Sequence, residues 1–223
     1  MSVRRHFVFA LLPLLASCQV FTSQPTDPLA NHVRMQGELA LEAGQWVFSP
    51  CHEPRRFVLG DGQATTIMQD GKRLLADSSG PLFADIRGEL AASQQTGVDG
   101  QFTPSQIYRL QAEGQGCDDL NFKRSTVRAS GHEPDWQVTV NAKGLLLNLP
   151  EQPPQALPYL EEQLPDGRFN LTSEANGQRL ELWITPQRCL DSMSGAVQHL
   201  TAELRIDGQT MRGCAYFGGA RNH

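Results

Sequence analysis

Six Asp-Gly or Asn-Gly dipeptides divide this chain into short segments, and their spacing constrains the fold more than any other feature. They stand at positions 61–62, 70–71, 99–100, 166–167, 176–177 and 207–208. These residue types tolerate the positive φ angles that tight turns between strands require. The chain is therefore expected to fold as short strands joined by tight turns.

Several segments between these turns alternate apolar and polar residues with the period of a β-strand. The clearest are one strand over 82–90 and two hairpins, joining 136–140 to 145–149 and 202–206 to 210–217. Helix signals are weak. Residues 65–76 fit either a short helix or a turn at Asp70-Gly71, and residues 158–164 fit one or two helical turns. The pattern predicts an all-β protein.

The N-terminus carries a basic and then an apolar segment that ends at a cysteine. Arg4 and Arg5 precede an apolar run over 7–15, which is too short to span a bilayer, and Leu15-Ala16-Ser17-Cys18 follows. This arrangement resembles the signal peptide of bacterial lipoproteins; an ordinary secretory signal with a chance cysteine is the alternative. The resemblance implies cleavage before Cys18 and a lipid on its sulfur. Because Gln19 follows, it also favours the outer membrane of the cell envelope, facing the periplasm.

The organisation of the chain follows from this start. With residues 1–17 as the signal peptide, the mostly polar residues 18–32 are predicted to be a flexible tether with a span of roughly 20 Å. A polar interruption then separates an N-terminal β domain, 33–120, from a C-terminal β domain, 126–223. We predict two small antiparallel β-barrel or sandwich domains, with one continuous barrel as the alternative.

The charge of the chain limits its partners. There are 19 Lys and Arg against 24 Asp and Glu, a net charge of −5, which becomes about −7 when Arg4 and Arg5 leave with the signal peptide. An acidic surface without a basic patch argues against nucleic acid and against adhesion to anionic lipid headgroups. The lipid on Cys18 is therefore the predicted attachment to the membrane.

Four cysteines remain after Cys18: Cys51, Cys117, Cys189 and Cys214. In an oxidising envelope they are expected to form two disulfides, for which three pairings exist. We favour Cys51–Cys117 with Cys189–Cys214, because the polar interruption separates an early pair from a late pair. Each predicted domain would then hold one bond. No closely spaced Cys/His pattern indicates a metal site, and no cofactor is predicted.

The residues that invite a chemical role stand in Gly131-His132-Glu133-Pro134-Asp135-Trp136. A histidine and two carboxylates this close suggest acid–base chemistry, but no nucleophile motif or zinc pair accompanies them, so no catalytic residue is assigned. The preferred interpretation is structural. Gly131 and Pro134 shape the entry to a strand, Glu133 accepts hydrogen bonds from turn amides, and Trp136 fills the barrel mouth. A ligand or loop site at His132, Glu133 and Trp136 is the alternative.

Three motifs of the second half form a recognisable series: the one above, then Cys189-Leu190-Asp191-Ser192-Met193-Ser194, then residues 208–215. With 48–51 and 81–88, they resemble a family of bacterial envelope lipoproteins with the pattern G-[NH]-E-P-x-W, C-x-D-x-M-S and G-x-x-x-x-G-C-A. The resemblance covers most of the mature chain and departs from the family at Asp135 and over 196–199. It implies a β-rich envelope lipoprotein, distantly like META domains, and no particular activity.

Three functions are compatible with these features. The leading hypothesis is a non-enzymatic lipoprotein that binds a periplasmic protein or a small ligand, or helps maintain the envelope. The second is a periplasmic inhibitor of a lysozyme or protease, since small disulfide-linked barrels present rigid loops and this surface is acidic. The third is a hydrolase that uses His132 and Glu133.

Overall fold

Alternating apolar residues build two sheets, each with its own core. The computed structural model describes residues 32–62 and 64–221. The predictions for the signal peptide, for Cys18 and for the tether as far as residue 31 concern residues outside this description. In the part of the chain that is described, no helix has the length and apolar character needed to cross a membrane.

The first sheet is built mainly from the first five strands. These are β1 (His32–Glu42), β2 (Gln45–Pro50), β3 (Phe57–Leu59), β4 (Leu82–Ala91) and β5 (Gly100–Gln111), with helix α1 (Ile67–Ala76) between β3 and β4. Strand β4 pairs with both β1 and β5, and β3 pairs with both β2 and β5, so the five strands close into a ring. The β3–β5 pairing is parallel, and the neighbouring ones are antiparallel.

The second sheet is open and contains nine antiparallel strands. They are β6 (Ser125–His132), β7 (Asp135–Asn141), β8 (Gly144–Asn148), β9 (Gln155–Leu157), β10 (Leu160–Gln163), β11 (Phe169–Ala175), β12 (Gln178–Thr185), β15 (Leu200–Ile206) and β16 (Gln209–Phe217). Their order is β10-β11-β12-β15-β16-β6-β7-β8-β9. Between β12 and β15 the chain forms β13 (Cys189–Leu190) and β14 (Val197–Gln198), which join the first sheet beside β5. Short 3₁₀ turns occupy Gly116–Asp118, Phe122–Arg124 and Pro165–Gly167.

The predicted all-β fold with two β domains is confirmed, and so are the strand over 82–90 and both hairpins. The turns at Asn176-Gly177 and Asp207-Gly208 are two-residue hairpin turns with positive φ at both positions. The helical turns expected over 158–164 are wrong: strand β10 forms there, because it pairs with β11.

Of the two interpretations of residues 65–76, the helix is the one the structure shows. Gly71 lies inside α1 rather than in a turn. A Cβ at this position would lie 2.6 Å from the ring of Trp46. The glycine therefore allows α1 to approach the first core, to which Ile67 and Leu74 of the helix contribute buried side chains.

Both predicted disulfides are formed, Cys51–Cys117 and Cys189–Cys214. The expectation of one bond within each domain is wrong for the second. Cys189 lies on β13 in the first sheet, whereas Cys214 lies on β16 in the second. This bond therefore links the two sheets. It does so because the chain leaves the second sheet after β12, joins the first sheet at β13 and β14, and returns to the second sheet at β15.

A buried ion pair joins the same two sheets. Arg34 of β1 donates from Nε and Nη2 to the two carboxylate oxygens of Asp85, at 2.8 and 2.7 Å, and Asp85 is fully buried. The same Nη2 donates to the carbonyl of Phe217 at the end of β16, at 2.7 Å. The guanidinium also lies 3.8 Å from the ring centre of Tyr108. We call these four residues, with His199, the joint.

His199 completes the joint. Its ring lies edge-on to both Tyr108 and Phe217, with centroids 4.8 Å apart in each case. Its Nδ1 donates to the Tyr108 carbonyl at 3.0 Å. Burial lowers the pKa of His199 to about 4, so the imidazole is neutral at neutral pH. The joint thus combines one arginine–aspartate pair with aromatic rings and a neutral imidazole.

Replacing Arg34 tests the importance of the joint. We expect Arg34→Met to lower the free energy of unfolding by about 3–5 kcal/mol, because it leaves the Asp85 carboxylate buried without its cation. Urea unfolding measures this loss, and Asp85→Asn in the same chain should restore part of it. The matched control is Arg56→Met, which breaks an exposed pair with Glu42 and should cost about 0–1 kcal/mol. Equal losses for the two arginines would contradict this account of the joint.

Candidate functional site

His132 lies at the end of β6, where the β6–β7 turn meets the segment between β13 and β14. Its Nε2 is 2.8 Å from Oδ2 of Asp191, and its Nδ1 is 3.3 Å from Oδ1 of Asp135. Burial acts to lower the pKa of His132, but the hydrogen bonds and charges of Asp191 and Asp135 outweigh it and raise this pKa above its ordinary value of 6.5. The two carboxylates therefore stabilise the charged form of the imidazole.

Asp191 organises the loop that faces His132. Its Oδ1 accepts hydrogen bonds from the backbone of Met193 and from both the backbone and the hydroxyl of Ser194. Burial acts to raise the pKa of Asp191, yet the bonds from Ser194 and His132 hold that pKa below its ordinary value. Asp191 thus stabilises a turn through its short-range hydrogen bonds, and its sequence context does not reveal His132 as a further partner.

The arrangement suits a structural link better than catalysis. Nucleophilic catalysis needs a hydroxyl or thiol in contact with its base. Here the Ser194 hydroxyl and His132 both bond to Asp191, on different oxygens, and both ring nitrogens of His132 face carboxylates. Asp191 thus anchors the imidazole and the turn at once, and it connects the second sheet to the segment that joins the first.

The other two residues of the predicted site behave differently. Trp136 of β7 is buried in the second core, in agreement with the packing interpretation. Glu133 is exposed, and no hydrogen bond reaches it from residues 32–62 or 64–221, so the expectation that it caps turn amides is wrong. The Glu133–Pro134 peptide is cis. Only His132 of the three makes a polar contact with a distant part of the chain.

The three sequence motifs of the second half meet at this place. Strands β6 and β16 pair so that Ser130 stands opposite Cys214. Gly131 and Gly213 leave no room for a Cβ: at Gly131 it would collide with the Arg212 carbonyl and the Trp136 indole, and at Gly213 with the Ser130 carbonyl. The motifs therefore specify a close approach of β6 and β16, near the Cys189–Cys214 bond and the His132–Asp191 contact.

A concavity lies beside this pair of strands. It is a cleft of about 1160 Å³, with one wall from the first sheet and one from the outward face of the second. Residues that define it are Arg109, Gln111 and Gln198 on the first sheet and Arg128, Thr139 and Tyr216 on the second. Because Val127, Ala129, Val138 and Val140 face the second core, their alternating neighbours face the cleft. The cleft therefore exists because the two sheets are held at the joint.

A smaller groove extends from the cleft to the predicted site. It measures about 490 Å³, is lined by His132, Asp135 and Trp136, and shares Ser130, Gln137 and Asn148 with the cleft. His132 thus lies at the edge of the concavity rather than in its centre.

Arg109 is the most unusual side chain in the cleft. It lies on β5 between the buried Tyr108 and Leu110 and is only 4 % exposed. Its Nη1 donates to the Tyr216 hydroxyl at 2.7 Å. Burial lowers the pKa of Arg109 below its ordinary value, against the opposing effects of Tyr216, Asp85 and Asp119. The sequence does not single out Arg109, because β5 contains several other polar residues and nothing in the strand marks this side chain as buried.

No protein-family model matches the chain, and neither a curated protein nor a solved structure shows significant similarity to it. The resemblance carried by the three motifs therefore remains a prediction, and the interpretation of the site depends on the geometry alone.

The raised pKa of His132 predicts how its contribution changes with pH. A group whose pKa rises on folding stabilises the fold fully below its unfolded pKa, and this contribution is lost as the pH rises through the folded-state value. We therefore expect His132→Gln to reduce the free energy of unfolding more at about pH 6 than at about pH 8.5. Urea titrations at both pH values measure the difference. In an Asp191→Asn background, the loss of unfolding free energy caused by His132→Gln should vary less with pH. If this loss does not vary with pH in the native background, the raised pKa of His132 is contradicted.

Proposed function

We propose that this protein is a non-enzymatic lipoprotein of the cell envelope, attached to the outer membrane through Cys18, that binds a ligand in the cleft between its two sheets. The observation that carries the binding role is the cleft itself. Ligand pockets commonly measure about 300–1,000 Å³, and the cleft, at about 1160 Å³, is slightly larger than that and has room for a small ligand. Its two walls come from the two sheets that the joint connects.

The arrangement around His132 supports a role without catalysis. Asp191 holds both the imidazole and the Ser194 hydroxyl in a structural contact, which leaves neither group free to activate the other. The anchoring part of the proposal is supported by the sequence pattern that ends at Cys18 and by the two disulfides, which fit an oxidising compartment.

Filling the cleft tests the binding role. We expect Thr139→Trp to block ligand binding, because Thr139 is half-buried in the cleft wall and the indole would occupy the space. The full-length protein in a nonionic detergent is screened by thermal shift against envelope components: peptidoglycan fragments, lipid headgroups, sugars and short peptides. At least one class should raise the Tm of the native protein and not that of the variant.

The matched control is Thr210→Trp, on an exposed strand position outside the cleft, which should bind as the native protein does. The proposal fails if no component raises the Tm, or if the same ligand stabilises Thr139→Trp equally. It also fails if any of these components is hydrolysed at a rate that His132→Ala abolishes.

The anchor has its own test. We expect the native protein, but not Cys18→Ser, to incorporate radiolabelled palmitate, since a serine at this position offers no sulfur for a thioether-linked lipid. Autoradiography of the protein from bacteria that produce each form measures this. A native protein without label, or equal labelling of the serine variant, would contradict the lipid anchor.

A further inference from the structure

The guanidinium of Arg109 is buried without a full set of partners. Nη1 has the Tyr216 hydroxyl, but Nε and Nη2 have no hydrogen-bond partner among the described residues. The group lies 4.5 Å from the ring centre of Phe83 and 4.2 Å from that of Tyr216. Aromatic faces stabilise a cation but do not satisfy its N–H groups in the plane of the guanidinium. Two donors on one edge are therefore unsatisfied.

The carboxylates closest to Arg109 are committed to other arginines. Asp85 stands opposite Arg109 in the β4–β5 ladder, but its two oxygens bind Arg34 at 2.7 and 2.8 Å. Asp119 binds Arg128 through both oxygens, at 2.6 and 3.0 Å. A buried cation without a contacting anion is costly, so this arrangement needs a compensating interaction.

Gln198 adds a second unsatisfied group next to the first. Strand β14 places Gln198 directly opposite Arg109 on β5, and the residue is 7 % exposed. Its Oε1 is buried and has no hydrogen-bond partner in the described structure. Two donors and, on the paired strand, one acceptor are therefore buried without partners within the same wall of the cleft.

The charge of the cleft differs from that of the whole chain. Four cations line it, Arg109, Arg124, Arg128 and Lys143, against the two carboxylates of Glu113 and Asp119. The local balance is positive although the chain carries a net charge of −5. An anion that approaches this acidic protein meets a favourable potential in the cleft.

We infer that the cleft binds a small ligand that carries a carboxylate or phosphate group next to a hydroxyl or N–H group. Two oxygens of the carboxylate or phosphate accept hydrogen bonds from Nε and Nη2, which form one edge of the Arg109 guanidinium. The neighbouring hydroxyl or N–H group of the ligand donates to Oε1 of Gln198. The inference rests on the cleft being the ligand site proposed above, and it adds the chemical class of the ligand. Because the groups are shielded from water, their bonds to an anion are stronger than exposed ones.

The Arg109 Nε–H resonance reports this contact directly. The probes are glucuronate and glucose 6-phosphate, which present a carboxylate and a phosphate beside hydroxyls, and glucose as the uncharged counterpart. In ¹⁵N-labelled full-length protein in nonionic detergent, at least one anion should shift the Nε–H signal with saturation at millimolar concentration, and glucose should not. The responding probe identifies whether the site takes carboxylates or phosphates. The inference is overturned if neither anion shifts the signal or if glucose shifts it equally.

A variant measures how much of the affinity depends on the charge. Arg109→Met keeps the apolar stem and removes the guanidinium, and we expect it to weaken binding of the responding anion by about 10-fold to 100-fold. Arg205→Met, which removes an arginine that pairs with Glu203 outside the cleft, is the control and should bind normally. Equal affinity in a folded Arg109→Met protein overturns the inference. If that variant does not fold, the titration of the native signal decides.

The two proposals fail in different ways. If a ligand is excluded by Thr139→Trp but binds Arg109→Met as tightly as the native protein, the cleft remains the binding site. The proposed contact between Arg109 and an oxyanion is then refuted. If an anion shifts the Arg109 signal as much in Thr139→Trp as in the native protein, the cleft is refuted as the site of binding.

Discussion

The fold depends on the buried pair of Arg34 and Asp85. This pair connects the closed first sheet to the end of the second, because Arg34 also bonds to the Phe217 carbonyl at 2.7 Å. The ring of Tyr108 lies against its guanidinium, and His199, which is neutral at neutral pH, packs edge-on to Tyr108 and Phe217. The Cys189–Cys214 bond and the His132–Asp191 contact hold the same two sheets at a second place. Because the two sheets are attached at two separate places, neither sheet can rotate about a single attachment relative to the other.

The joint also explains why the cleft contains an unsatisfied cation. Asp85 is the natural partner of Arg109 across the β4–β5 ladder, but Arg34 occupies its oxygens in order to connect the sheets. Asp119 in turn holds Arg128 in the opposite wall. Asp85 and Asp119 are thus both used to build the walls of the cleft. Arg109 is left as the cation with which an incoming anion can pair. The same arrangement of charges therefore holds the two sheets together and provides the proposed anion site.

The sequence predicts the local features of this structure and not the contacts between distant segments. Hairpins such as β15–β16 are predictable because the turn and the alternation stand next to each other, and the disulfides because the cysteines are few. Arg34 and Asp85 are 51 positions apart, and His132 and Asp191 are 59, with nothing in either segment that indicates the other. The crossing of residues 189–198 to the first sheet is missed for the same reason, since it depends on pairing with β5.

The most direct test of the account is an anomalous diffraction map from crystals grown with selenate, an oxyanion with the size and charge of sulfate and a strong anomalous signal. The account predicts a selenium peak in the cleft, with oxygens within hydrogen-bond distance of Nε and Nη2 of Arg109 and the Arg34–Asp85 pair intact beside it. A well-ordered cleft without a peak at Arg109, or a peak confined to the exposed Arg124 and Lys143, would contradict it.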